Sequence, residues 1–164
     1  VRYIPTIDVD RAKLRTTLTY RFTPSLTLGV EYNPFADEIG PLANWRALDE
    51  TETRPALILG TSSDRIGTPH GRSYYATFSK NLEEEIGLPL APYAGAAYGT
   101  FDDRLRPIGG VNVRWSEEIS STHLYDGQKV HHLLHYTFGG RHTIGLLLVD
   151  HRDVGISYSI GFDF

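Results

Sequence analysis

The chain has 164 residues, with 16 basic and 20 acidic side chains and a formal net charge of −4. It holds no Cys and no apolar run near the ~18 residues of a spanning helix, which excludes disulfide scaffolds, Cys-ligated metals and helical membrane proteins. The acidic balance argues against a nucleic-acid partner, while 16 Gly, 9 Pro and 19 aromatic residues (10 Tyr, 7 Phe, 2 Trp) suit a single strand-rich domain spanning 1–164. A chain that starts at Val1 with no Met is expected to be a processed mature form or a piece of something longer.

Residues 1–10 read as an N-terminal extension, or as a short strand over 1–9. From 11 to 22 the residues alternate, with Thr16 interrupting the apolar parity as its one small hydroxyl. Ala12, Leu14, Leu18, Tyr20 and Phe22 share one parity, and Arg11, Lys13, Arg15, Thr17, Thr19 and Arg21 share the other. A helix would scatter those charges, whereas a strand sorts them onto two faces. Thr23-Pro24 turns the chain into Leu26, Leu28, Val30 and Tyr32, with Glu31 on the polar face. A tight hairpin there places Arg15 near Glu31, a cross-strand pair of opposite charge.

The stretch 35–53 reads as a long connection with one helical turn around Trp45–Leu48. Further strands are expected over 54–62, 72–81, 89–101, 107–115, 118–125, 129–138 and 142–150. Asp126-Gly127 and Gly139-Gly140 mark hairpin turns. Gly109-Gly110 reads as a turn or bend, and the polar Gly/Pro segment 60–71 as a surface loop. The last segment sets Val154, Ile156, Tyr158, Ile160, Phe162 and Phe164 against Gly155, Ser157, Ser159, Gly161 and Asp163. The total is about ten strands, with eight and twelve as neighbouring counts.

Alternation alone does not say which face meets solvent. A soluble lipocalin-like barrel hides the apolar face inside, and a membrane barrel turns it toward lipid. Three features favour the membrane arrangement. The polar face of 11–21 carries four cations in six positions, aromatics gather near strand ends, and the last strand has a small Gly/Ser face suited to a narrow lumen.

The ending Y-S-I-G-F-D-F resembles the C-terminal strand of bacterial outer-membrane β-barrels. Ile156, Tyr158, Ile160, Phe162 and Phe164 fall at every second position, as in the signal read by the barrel-assembly machinery. The resemblance implies a closed antiparallel up-and-down transmembrane β-barrel in the outer membrane of a Gram-negative-type cell. Its partners would be the lipid bilayer, the assembly machinery during biogenesis and other envelope proteins. The specific motif covers only the last 11 or so residues.

A lumen ion network is expected from Arg11, Lys13, Arg15, Arg21 and Arg114 with Glu31 and Asp163, the last near Arg11 or Lys13 across the seam. The network fills the narrow lumen, or else lines an anion-selective pore. Seven His crowd mostly into the last third. His123 and His131 are the weak candidates for a cross-strand metal pair, because His131 and His135 lie about 13 Å apart along one strand. Asp150-His151, His135 and Ser157 or Ser159 could be forced into a hydrolase scheme, but no spacing compels it. No catalytic residue and no cofactor is therefore expected. The function read from the sequence is a non-catalytic structural or accessory barrel of the envelope. The alternatives are a narrow channel with a cationic lumen and a soluble ligand-binding barrel.

Overall fold

The computed structural model describes residues 1–162, apart from the side chain of Glu84. Asp163 and Phe164, and the readings that fall on them, lie outside the described residues. The elements run β1 (Arg2–Tyr3), α1 (Asp10–Lys13), β2 (Leu14–Thr23), β3 (Leu26–Asn33), β4 (Glu38–Leu48), β5 (Ala56–Ser63), β6 (Arg72–Ser79), α2 (Glu83–Ile86), β7 (Leu90–Gly99), β8 (Arg104–Arg114), β9 (Ile119–Tyr125), β10 (Val130–Phe138), β11 (His142–Val149) and β12 (Asp153–Ile160). Consecutive strands from β2 to β12 pair antiparallel, and β1 joins β12 to β2, giving one closed twelve-stranded up-and-down barrel.

Local chemistry sets the turns. Thr23 Oγ1 accepts from the Leu26 and Ser25 N–H groups and locks the β2–β3 hairpin. Asp126 Oδ1 accepts from the Gln128 and Lys129 N–H groups, with Gly127 at φ 93°. Asp150 and His151 both sit in the left-handed region, and Arg152 N–H bonds back to the Val149 carbonyl, as in a type I′ turn. Two other turns share a device that the sequence reading missed. Tyr32 and Tyr98 each donate a hydroxyl to an aspartate five residues on, Asp37 at 3.3 Å and Asp103 at 2.9 Å, and both aspartates have positive φ. The shared pattern Y-x-x-F-x-D was visible as a short internal repeat.

The stretch 35–53 is not a long connection, because it holds the eleven-residue strand β4. Its outward positions, Ile39, Pro41, Ala43 and Trp45, are only weakly apolar, and Pro41 signals against a strand. Pro41 has no N–H to donate, β4 pairs with β5 only from Ala43 onward, and the Arg72 guanidinium takes the Pro41 carbonyl instead. Gly109-Gly110 lies inside β8 and makes no turn. β2 begins at Leu14, since Arg11–Lys13 belong to α1.

Residues 1–10 are no extension. β1 runs opposite to both neighbours, in register Arg2↔Arg15 and Arg2↔Ser157. The chain then turns into the lumen, where Ile4, Ile7 and Ala12 pack with Leu147 and Val149 in the buried apolar cluster. Ile4 is fully buried and lies against Gly155, where a side chain would collide with its Cγ1 at 2.7 Å. This packing predicts that Ile4→Ala lowers unfolding stability by about 2–5 kcal/mol in denaturant titrations. Leu18→Ala, on the outer face at 74% exposure, changes it far less under the same conditions.

Candidate functional site

The two faces of the wall are chemically inverted. Outward positions include Leu18, Tyr20, Phe22, Trp45, Phe78, Leu105, Leu134, Leu146, Ile156 and Tyr158, all exposed. The fully buried set includes the polar side chains of Glu31, Asn33 and His131. Side chains of these types are more often sorted the other way, with the large apolar ones buried and the charged ones exposed.

The lumen has a closed and an open end. The closed end carries the turns 34–37, 64–71, 100–103, 126–129 and 150–152, and the open end carries the end of β12. At the closed end the segment 4–13 fills the bore, with Thr6 Oγ1 bonded to Asp153 at 2.8 Å. The loop 64–71, expected on the surface, folds onto it. Buried Arg11 donates to the carbonyls of Thr68 (2.9 Å), Gly71 (2.8 Å), Asp64 and Arg65 (both 3.2 Å) and to the Thr68 hydroxyl. Toward the open end Thr17, Thr19, Arg21, Asn112 and Ser159 face inward and are exposed. The lumen is a cup.

The cup floor is ionic. Arg15 pairs with Glu31 as the hairpin reading expected, and Arg72 binds the other carboxylate oxygen at 2.6 Å. Ser63 Oγ donates to Glu31 as well, at 3.1 Å. Asp102 bridges Arg65 and Arg106, and Asp64 accepts from the N–H groups of Arg65 and Phe101. His131 is 1% exposed, with Nε2 2.9 Å from Asp126 and Nδ1 accepting from the Asp150 N–H. That accepted bond puts Nδ1 toward the Asp150 N–H and directs Nε2 to donate to Asp126.

The expected seven-residue network is therefore divided. Arg15 and Glu31 form its centre. Arg11 serves the closing loop, Lys13 pairs with Asp10 at the rim, Arg114 pairs with Glu83 of α2, and Arg21 stands near the mouth. Arg2, Arg65, Arg72 and Arg106 were not singled out. They come from segments read as an extension, a loop and strand ends, and only closure brings them together.

His123 and His131 lie on opposite faces of the wall, because His123 pairs with His132 in register. No group of three or more His, Cys, Asp or Glu side chains is placed to hold a metal ion among the described residues. His135 and Ser157 both flank Gly145 inside the lumen, while Asp150 and His151 sit at the closed rim. No hydrogen bond joins those four among the described residues.

A polar chain crosses the outer face instead. The Trp115 indole donates to Ser121 Oγ at 2.9 Å, Ser121 meets His123 Nε2 at 3.3 Å, and His123 Nδ1 meets His132 Nδ1 at 2.8 Å. His132 then packs on His151, with ring centroids 5.0 Å apart. An indole only donates, so Ser121 passes its own proton toward His123. Ser121 is 4% exposed and held from both sides. The chain satisfies its polar members internally and leaves no free nucleophile.

No protein-family model, curated protein or solved structure matches the chain. The cup floor and its closing loop are thus read on their own geometry.

Two outcomes follow from this ion arrangement. Glu31→Gln strands Arg15 and Arg72 without a counter-charge and should cost about 3–5 kcal/mol in denaturant unfolding. At the rim, hydrogen bonds from Arg106 hold the Asp102 carboxyl down to about 2. A depressed carboxylate stabilises the fold above its unfolded value near ~3.9 and loses that contribution as pH falls through the folded value. Thermal melts taken from about pH 4 down to about pH 2 should therefore drop steeply for the native chain and more shallowly for Asp102→Asn.

Proposed function

We propose that this chain is an integral β-barrel of a bacterial outer membrane, serving as a structural or accessory component of the envelope and not as an open pore. One observation carries the reading: large apolar side chains cover the outer wall, while the inner wall buries charged and polar side chains, among them Arg11, Glu31, Asn33, Asp64 and His131, around one small apolar cluster. Lipid accepts the first arrangement and water does not. Lipid also offers no partner for an unpaired backbone group, and the closed ring supplies one.

Outward aromatics near the strand ends support the same reading. Tyr32, Tyr74 and Tyr98 lie toward the closed end, and Phe22, Trp45, Phe78, Trp115 and Phe138 toward the open end. This is the distribution that two membrane–water interfaces favour. The resemblance of the last strand implies that β12 ends on the periplasmic side, and in this reading the cup opens there. Its partners are the bilayer, the assembly machinery and neighbouring envelope proteins. The interior argues against a lipocalin-like ligand barrel, because Glu31, Asn33 and His131 occupy positions where an apolar ligand would need apolar walls. The Arg11 clamp argues against a constitutive channel.

The reading is tested by reconstitution. The chain should require detergent, shift its gel migration on boiling, and insert into liposomes. A monomer that stays folded in plain buffer defeats the proposal. Planar bilayers should stay silent with the native chain and show conductance steps with Arg11→Ala, which loosens the loop over the bore. Steady conductance by the native chain would restore the channel reading.

A further inference from the structure

Arg2 is the charge that the fold does not answer. It faces the lumen at the seam, in register with Arg15 on one side and Ser157 on the other. Among the described residues its side chain makes no hydrogen bond and no ion pair, and its Nε is enclosed without a partner. Arg15 Nε, beside it, is enclosed and unpartnered too. A guanidinium N–H withdrawn from water without an acceptor is costly.

The neighbouring carboxylates are committed. Glu31 gives one oxygen to Arg15 and the other to Arg72. Asp64 and Asp102 hold Arg65, Arg106 and the Phe101 N–H. Asp126 holds His131, and Asp153 holds Thr6. None is left for Arg2.

Arg2 and Arg15 border a cavity of ≈ 340 Å³, shared with Arg106, Tyr75 and Tyr93. At ~30 Å³ per water that is room for roughly eleven waters, or for a small solute and its hydration. Tyr75 accepts a bond from Asn44 at 3.2 Å and keeps its own hydroxyl proton to give. Much of the cavity wall is apolar, with Ile108, Leu124, Leu133 and Leu147 among its members, and Asp64 and Asp126 border it with their oxygens already engaged; the polar groups it leaves unanswered are the N–H donors of Arg2 and Arg15 and the phenol hydroxyls.

We infer that the floor of the cup binds a small soluble oxyanion of the phosphate class, held by Arg2 and Arg15 and entering through the open end. The inference rests on the cup described above. Guanidinium forks match phosphate oxygens in pairs. A tetrahedral phosphate has oxygens for both arginines and for the phenols as well. A carboxylate has only two, and Glu31 already supplies that to Arg15. The barrel wall separates the cavity from lipid, so the ligand comes from the aqueous side and is no membrane headgroup. In this role the protein is a receptacle for a phosphate-bearing solute and not a conduit for it.

The test is a titration of the detergent-folded chain with inorganic phosphate at constant ionic strength, read by thermal melting. Chloride and acetate serve as comparison anions. Phosphate should raise Tm saturably, and at a concentration 100 times Kd the folded state gains about 100-fold in equilibrium constant. Arg2→Gln should weaken phosphate binding about tenfold or more, Arg2→Lys by less, and Arg21→Gln at the mouth not at all. Without phosphate, Arg2→Gln should melt at or above the native chain, because it removes an unanswered buried charge. With saturating phosphate that order should reverse.

Superimposable curves for phosphate and chloride overturn the site. Acetate acting as strongly as phosphate overturns the tetrahedral assignment. Undiminished phosphate affinity in both Arg2 variants overturns the role of Arg2. Gel migration before and after boiling verifies that each variant is folded. If the chain proves stable without detergent, the membrane reading fails by itself and the same titration runs in plain buffer, since the site uses the lumen and not the bilayer.

Discussion

The whole ring depends on two residues. Eleven hairpin-connected strands bring β2 and β12 to the seam pointing the same way. An antiparallel ring closes only with an even number, and β1 supplies the missing strand with Arg2 and Tyr3. Val1 adds bonds to Tyr158 on the β12 side, one of them from its amino group at 2.7 Å. An unclosed edge would leave a row of backbone groups without partners. Because β1 runs against its neighbours, the chain leaves the seam at the closed end. Residues 4–13 must then cross the bore before β2 can start. Closure therefore produces the filling of the lumen, and that filling recruits the loop 64–71 through Arg11.

The same strand carries the electrostatic consequence. An inward position at the seam puts Arg2 beside Arg15, and Glu31 is already shared between Arg15 and Arg72. Elsewhere on the floor charges are matched nearly one to one, as they must be where water is scarce. Toward the open end matching is unnecessary, and Arg21 stays exposed. One bore thus holds two electrostatic regimes, divided by how far water reaches from the mouth. Outside, the wall is mostly apolar, and Trp115, Ser121, His123 and His132 satisfy one another in a line across it.

Some of this could be read directly from the residues. The β2–β3 hairpin, the Arg15–Glu31 pair, the turns at Asp126-Gly127 and Gly139-Gly140 and the strands β6, β8, β10, β11 and β12 follow from period-two alternation and local turn chemistry, whereas β5, apolar on both parities, and β7, rich in Ala, Gly and Tyr, show their place as strands without showing their facing. β4 was hidden because Pro41 and Ala43 dilute its apolar face. The N-terminal ten residues looked like an extension because a two-residue strand has no periodicity to detect. Gly109-Gly110 looked like a turn because two adjacent glycines carry the same local signal there as in a hairpin. In β8, Gly110 instead makes room for Tyr93, whose hydroxyl would lie 2.8 Å from a side chain at that position.

The amino-acid sequence by itself determined the strand period, most turns and which residues share a face, because these depend on neighbours a few positions apart. It pointed to an inward polar face, but it could not say that the ring needs β1, or that Arg2, Arg11, Arg65, Arg72 and Arg106 meet at one end. Those outcomes depend on closure, which joins residues more than 150 positions apart, as Val1 and Tyr158 show. The loop 64–71 looks like any polar Gly/Pro surface segment until Arg11 lies beneath it, and Arg2 looks like any terminal cation until the ring encloses it.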